Sequence, residues 1–88
     1  MELSKQDRLA IVEATGYFYE TAEPDEQPFA RELNALAAQI ALSASGGLTM
    51  GQLQAIRLCL EIFVEDFPDD SQPQQSLLAR LPALPPFA

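Results

Sequence analysis

Apolar residues spaced by three and four positions recur in three segments, and this spacing constrains the fold more than any other feature. It is the spacing of an amphipathic helix that buries one face. The sequence therefore predicts an all-α chain of three main helices. Their core-facing positions are Ile11, Val12, Thr15, Phe18, Tyr19 and Ala22 in helix 1, Phe29, Leu33, Leu36, Ala37, Ile40 and Ala44 in helix 2, and Leu53, Ile56, Leu60, Phe63, Val64 and Phe67 in helix 3.

The ends of helix 1 and the start of helix 2 carry recognisable signals. Ser4 can accept a hydrogen bond from the amide of Asp7, which predicts that helix 1 begins after Ser4. On this helix Gln6, Glu13, Tyr17 and Glu20 are expected to face water. Pro24 and Pro28 bound its stop, and Pro28 also suits the first turn of helix 2.

The link between helices 2 and 3 is short and well marked. Ser45-Gly46-Gly47 predicts the end of helix 2, and Thr49 with Gln52 forms a capping-box pattern at the start of helix 3. Leu48 and Leu53 occupy the two positions of a hydrophobic staple. Because the link is short, helices 2 and 3 are expected to be antiparallel neighbours.

The whole chain is then a small antiparallel three-helix bundle with a short fourth helix and an extended tail. Residues 1–81 form the helical bundle domain, in which Ser71 or Gln72 caps a fourth helix carrying Leu77, Leu78 and Leu81. Residues 82–88 are rich in proline and cannot continue a helix.

Two short acidic runs fall where helices 1 and 3 stop. If these helices run in the same direction, both runs meet at one end of the bundle, and we call this expected cluster the acidic pole. Its residues are Glu20, Glu23, Asp25, Glu26, Glu65, Asp66, Asp69 and Asp70. Solvated helix ends that only keep the protein soluble and a surface that binds a basic partner are both open readings.

Helix 3 carries a second apolar stripe, opposite its main face. It consists of Ala55, Leu58 and Ile62 and needs a cover, which is either the C-terminal segment or a second copy of the chain. Helix 2 has a shallow second surface of Ala35, Ala38 and Leu42. Two helices that are apolar on more than one side favour a helical interface, with a homodimer as one form of it.

The composition excludes several classes of function. The chain has no histidine and a single cysteine, Cys59, which removes most hydrolytic triads, zinc sites and any intramolecular disulfide. The Cys59 thiol is expected to be a buried, inert group. A net charge of −8 disfavours direct contact with nucleic acid or an anionic membrane. No membrane helix or signal segment is apparent, so a cytoplasmic setting is expected.

These features predict a non-catalytic protein–protein interaction module, such as an adaptor, an inhibitor or a small chaperone. It would use an apolar helical surface and the acidic pole, without a cofactor, and would bind a protein partner with a basic surface. Two alternatives remain at this stage. One is an acidic nucleic-acid mimic or immunity-type inhibitor of a protein with a basic groove, and the other is a carboxylate metal-binding protein.

Overall fold

The computed structural model describes residues 3–42 and 50–81, and the side chains of residues 3–40 and 51–81. Within these ranges the chain forms four helices, and no strand: α1 (Lys5–Thr21), α2 (Gln27–Leu42), α3 (Met50–Asp66) and α4 (Gln72–Arg80). The all-α prediction is confirmed. The predictions for Ala44, for Ser45-Gly46-Gly47, for Leu48 and Thr49, and for the tail at 82–88 lie outside the described residues.

The start of α1 is a complete capping box. The amide of Asp7 donates to the Ser4 hydroxyl at 3.1 Å, and the amide of Ser4 donates back to the Asp7 carboxylate at 3.0 Å. The predicted cap at Ser4 is confirmed, and Asp7 takes the reciprocal role usually filled by Glu or Gln. Two otherwise unpaired amides are thereby satisfied.

Pro28 lies in the first turn of α2, as the sequence predicts. Helix α3 is described from Met50 onwards, and the predicted cap at Thr49 lies outside the described residues. Ser71 precedes α4 as predicted, but its side chain makes no capping bond. Its hydroxyl instead accepts from the side-chain amide of Gln75 at 3.1 Å.

The core lies around α1, which packs against each of the other three helices, while α4 also packs against α3. Most of the predicted core positions among the described residues of α1, α2 and α3 are buried or packed against the core. Phe29 is an exception, because it is 43% exposed and the adjacent Ala30 is fully buried in its place. Alanine lets α2 approach α1 closely, and the Phe29 ring lies edge-on to Phe18 with centroids 6.2 Å apart.

The contact between α1 and α4 contains two buried polar side chains, Asp7 and Gln74, each hydrogen-bonded to the other helix. Gln74 is fully buried, and its side-chain amide donates to the Ala10 carbonyl at 3.2 Å and to Glu13 at 2.9 Å. Six residues further on, Arg80 forms a two-pronged ion pair with Asp7. Gln74 contacts Ala10 and Glu13, whereas Arg80, which comes later on α4, contacts Asp7, which comes earlier on α1. The two helices therefore run in opposite directions here.

Helices α2 and α3 border one another across a groove. In the described part of the chain they are not among the closely packed helix pairs, although side chains from both line the same depression. The two helices are neighbours across this groove, and their antiparallel direction stays a prediction. The Cα radius of gyration, 12.1 Å, is close to the value of about 12 Å for a compact chain of this length.

Candidate interaction site

Tyr17 joins the last turns of α1 and α3. Its ring lies edge-on to Phe63 and Phe67, with centroid separations of 5.7 and 5.0 Å, and its hydroxyl donates a hydrogen bond to Asp66. This hydrogen bond raises the pKa of Tyr17 above its ordinary value, because the phenolate would face the carboxylate. The expectation that Tyr17 faces water was wrong, since the half-buried ring closes the space between the two helix ends.

All eight carboxylates predicted for the acidic pole lie on the surface. The first run covers the end of α1 and the connection to α2, and the second covers the last turn of α3 and the connection to α4. Both runs therefore begin beside helix ends that Tyr17 holds in contact. Among the described residues, Asp66 is the one member of the set whose side chain has a hydrogen-bond partner.

The formal charge is divided unevenly along the sequence. The two runs contain eight acids and no base, while the rest of the chain contains five acids and five bases. Two of those bases pair with acids outside the runs: Arg57 with Glu61 at 3.0 Å and Arg80 with Asp7. The excess negative charge of the chain thus comes from the two runs alone.

The second apolar stripe of α3 is partly enclosed by the chain itself. Ala55 is 4% exposed and belongs to the core, so it presents little surface to a partner. Ile62 is half-buried and packs against the core, and Leu58 is half-buried. The accessible part of the predicted stripe is therefore Leu58 with the outer part of Ile62. On α2, Ala35 and Ala38 are exposed.

Two buried ionisable groups have opposite character. Burial raises the pKa of the Cys59 thiol to about 12, in agreement with the prediction of an inert thiol. The guanidinium of Arg80, assisted by Ser4, holds the pKa of Asp7 at about 2 despite burial. Sequence reasoning assigned Asp7 only to the helix cap and missed Arg80. No local pattern reveals this pair, because its members are 73 positions apart.

Within residues 3–42 and 50–81, no three acidic or cysteine side chains are grouped so that they could hold a metal ion. A search of the same residues finds no helix with the length and apolar character needed to cross a membrane. Comparison of the chain with protein-family models, curated proteins and solved structures finds no match. The described residues thus form a small all-α protein of four helices.

Proposed function

We propose that this chain is a non-catalytic protein–protein interaction module that binds a basic surface of its partner. The observation that carries the proposal is the charge distribution. The whole excess of negative charge lies in two exposed runs without a base, and Tyr17 holds together the helix ends where these runs begin. Such a local field attracts a basic protein surface and speeds its encounter with the chain.

In this proposal α1, α2 and α3 run up, down and up, so that the two acidic runs form one acidic pole. The carboxylates in the last turns of α1 and α3 oppose the helix dipole by about 0.3–1 kcal/mol each. Burial of one large apolar side chain in the core contributes about 1.5–3 kcal/mol and outweighs that cost. The fold therefore tolerates the acidic pole. The unfavourable position of these carboxylates at helix ends supports a role in binding.

The experiment is affinity capture from extract of the native host at about 50 mM and about 500 mM salt, because charge attraction between exposed groups is screened. The double variant Asp69→Asn, Asp70→Asn removes two charges from the pole. Its control, Glu61→Gln, removes one exposed carboxylate outside the pole and outside the α1–α4 contact.

We expect the parent and the control to capture a basic protein at low salt, and the pole variant to capture at least fivefold less. Equal capture by the pole variant, or capture that is unchanged at high salt, would contradict the charge-based part of the proposal. If nucleic acid displaces the captured protein, the module acts as an acidic mimic of nucleic acid.

A homodimer formed through Leu58 and Ile62, in a reducing cytoplasmic setting, is also part of the proposal. It is supported by the half-buried state of both side chains and by the single, buried thiol. Light scattering after size exclusion measures the mass. If the parent is a monomer and the Leu58→Asp variant is equally stable, the proposal that another surface covers Leu58 and Ile62 fails.

A further inference from the structure

The border between α2 and α3 contains an open groove of about 340 Å³. Most of its lining is apolar: Phe29, Leu33 and Leu36 come from α2, and Ala55 comes from α3, while Gln52 of α3 is a polar lining residue. Phe29, one of the two large apolar side chains that remain exposed in the described residues, stands at this groove. The volume lies within the range of about 300–1,000 Å³ typical of ligand sites.

Gly51 lines the groove at the first turn of α3. A Cβ built at Gly51 meets no atom of the described residues within 4 Å. An α-helix advances about 100° per residue, which places Leu58 and Ile62 within about 20° of the direction of Gly51. Leu58 and Ile62 thus share this face of α3 further along the helix, beyond the residues that line the groove.

The charges around the groove are of one sign. Glu32 lines it and is exposed, and the exposed Asp25 and Glu26 of the acidic pole precede the first turn of α2. The nearest base in sequence, Arg31, lies about 160° away from Phe29 around the helix and faces another direction. Among the described residues Glu32 forms no ion pair.

We propose that this groove is the docking site for an amphipathic helix of a basic partner. The helix inserts large apolar side chains, spaced at i and i+4, beside Phe29 and Leu36, above the buried Ala55, and it places a Lys or Arg against Glu32. The proposal deepens the proposed function and rests on it. It adds a second, apolar contact to the charge-based one and specifies the chemistry of the segment that binds.

Charge complementarity selects this occupant over two others. A second copy of the chain carries the same net charge of −8 and brings no excess of bases to the acidic rim, so it complements this groove less well than a basic segment does. The uncharged segment at residues 82–88 offers nothing to pair with Glu32. A basic helix satisfies both the apolar walls and the acidic rim.

The test uses three synthetic helical peptides and the full chain. The first peptide carries two leucines at i and i+4 flanked by arginines, the second has the same leucines flanked by glutamates, and the third has the arginines with alanines in place of leucines. Binding is followed by the amide NMR shifts of the full chain, which give both the site and Kd.

We expect the arginine–leucine peptide to bind at least tenfold more tightly than either of the others and to shift the amides of Leu33, Leu36 and Gly51. Gly51→Leu should weaken this peptide at least tenfold, because the new side chain fills the groove. Gly16→Leu is the matched control, since a Cβ at Gly16 also meets nothing within 4 Å, and it should leave Kd unchanged. Glu32→Gln should weaken only the arginine-bearing peptides.

Equal binding of the three peptides, shifts confined to other helices, or no effect of Gly51→Leu would overturn the proposal. Groove shifts that depend on protein concentration without peptide would identify a second copy as the occupant. Tighter peptide binding by the full-length variant Leu84→Ser, Phe87→Ser would identify the chain's own end as the occupant. Both of these outcomes also overturn the proposal.

The two proposals fail in different ways. If a host protein is captured through the pole and Gly51→Leu does not affect the capture, the groove proposal fails and the proposed function stands. If the arginine–leucine peptide binds the groove but no host protein is captured, the proposed function fails and the groove keeps its specificity for basic apolar helices.

Discussion

The contact between α1 and α4 contains buried, hydrogen-bonded polar groups, whereas the border between α2 and α3 is an open groove. In the first, Asp7, Gln74 and Leu77 are buried, and the Asp7 carboxylate and the Gln74 side-chain nitrogen find partners across the contact. In the second, an exposed phenylalanine and the exposed carboxylate of Glu32 flank a mainly apolar groove. Paired polar groups fix one geometry between two helices, whereas an open apolar border leaves surface for another molecule.

The largest difference between the two regions should appear when a leucine is truncated in each. Leu77 is fully buried, so Leu77→Ala should lower the free energy of unfolding by about 2–5 kcal/mol. Leu36 is half-buried at the groove, and Leu36→Ala should cost about 1 kcal/mol because less apolar area leaves water. Urea denaturation measures both, and equal costs would remove the contrast.

The second effect in size concerns the ion pair of the α1–α4 contact. Asp7→Asn leaves the shape of the side chain but removes the charge that pairs with Arg80, and we expect a loss of about 1–3 kcal/mol. Glu61→Gln, which breaks the exposed pair with Arg57, is the control and should cost less than about 0.5 kcal/mol. A control variant as damaged as Asp7→Asn would show that burial does not set the value of the pair.

The same carboxylate predicts a dependence of stability on pH. The folded state lowers the pKa of Asp7 from 3.8 to about 2, so its stabilisation is complete above about pH 4 and disappears as the pH falls towards 2. The contribution is about 1–2 kcal/mol after allowance for the half-exposed Arg80. Denaturation curves between pH 5 and about pH 2 should show a smaller decline for Asp7→Asn than for the parent. Parallel declines would contradict this assignment.

A smaller effect, of opposite sign, is expected at the groove. Gly51→Ala should raise the free energy of unfolding by up to about 1 kcal/mol, because alanine favours the helix and its methyl group enters open space. Gly16→Ala in α1 should give a similar gain. Thermal unfolding of both variants provides the comparison. A loss at Gly51 alone would show that the groove is closed in solution.

The smallest effect concerns carboxylates at helix ends. Glu65 lies in the last turn of α3, where Glu65→Gln should raise stability by about 0.3 kcal/mol. Glu26 immediately precedes α2, so Glu26→Gln should lower it by a similar amount. The difference should shrink in high salt. The same sign for both variants would contradict the dipole argument.

Local sequence signals predicted the helices well, but they could not predict contacts between residues that are far apart in the sequence. Ser4 and Pro28 mark helix starts that the structure confirms, because capping and proline effects act within one turn. Spacing alone cannot say whether Phe29 or Ala30 faces α1, since the two are adjacent on the helix and the fit of the partner helix decides between them. Tyr17 was assigned to water because its neighbours on α3 are far away in sequence.

The sequence predicted that the carboxylates of the candidate site lie on the surface, but it did not predict how the site is arranged. The eight carboxylates were expected on the surface and are found there. Ala55 was expected on an outer stripe and lies in the core, because a methyl group fits where a larger side chain would not. The groove itself arises from how far apart α2 and α3 stand, which no residue pattern encodes.

The Asp7 carboxylate links the beginning of α1 to the end of α4, since it accepts from Ser4 and from Arg80 at the same time. Loss of the contact with Ser4 weakens the contact with Arg80, and the reverse also holds. The first turn of α1 and the end of α4 therefore open as one cooperative unit. Native-state hydrogen exchange would then give the amides of the first turn of α1 and those of α4 the same opening free energy. The stability of the start of α1 therefore depends on α4 remaining packed against it.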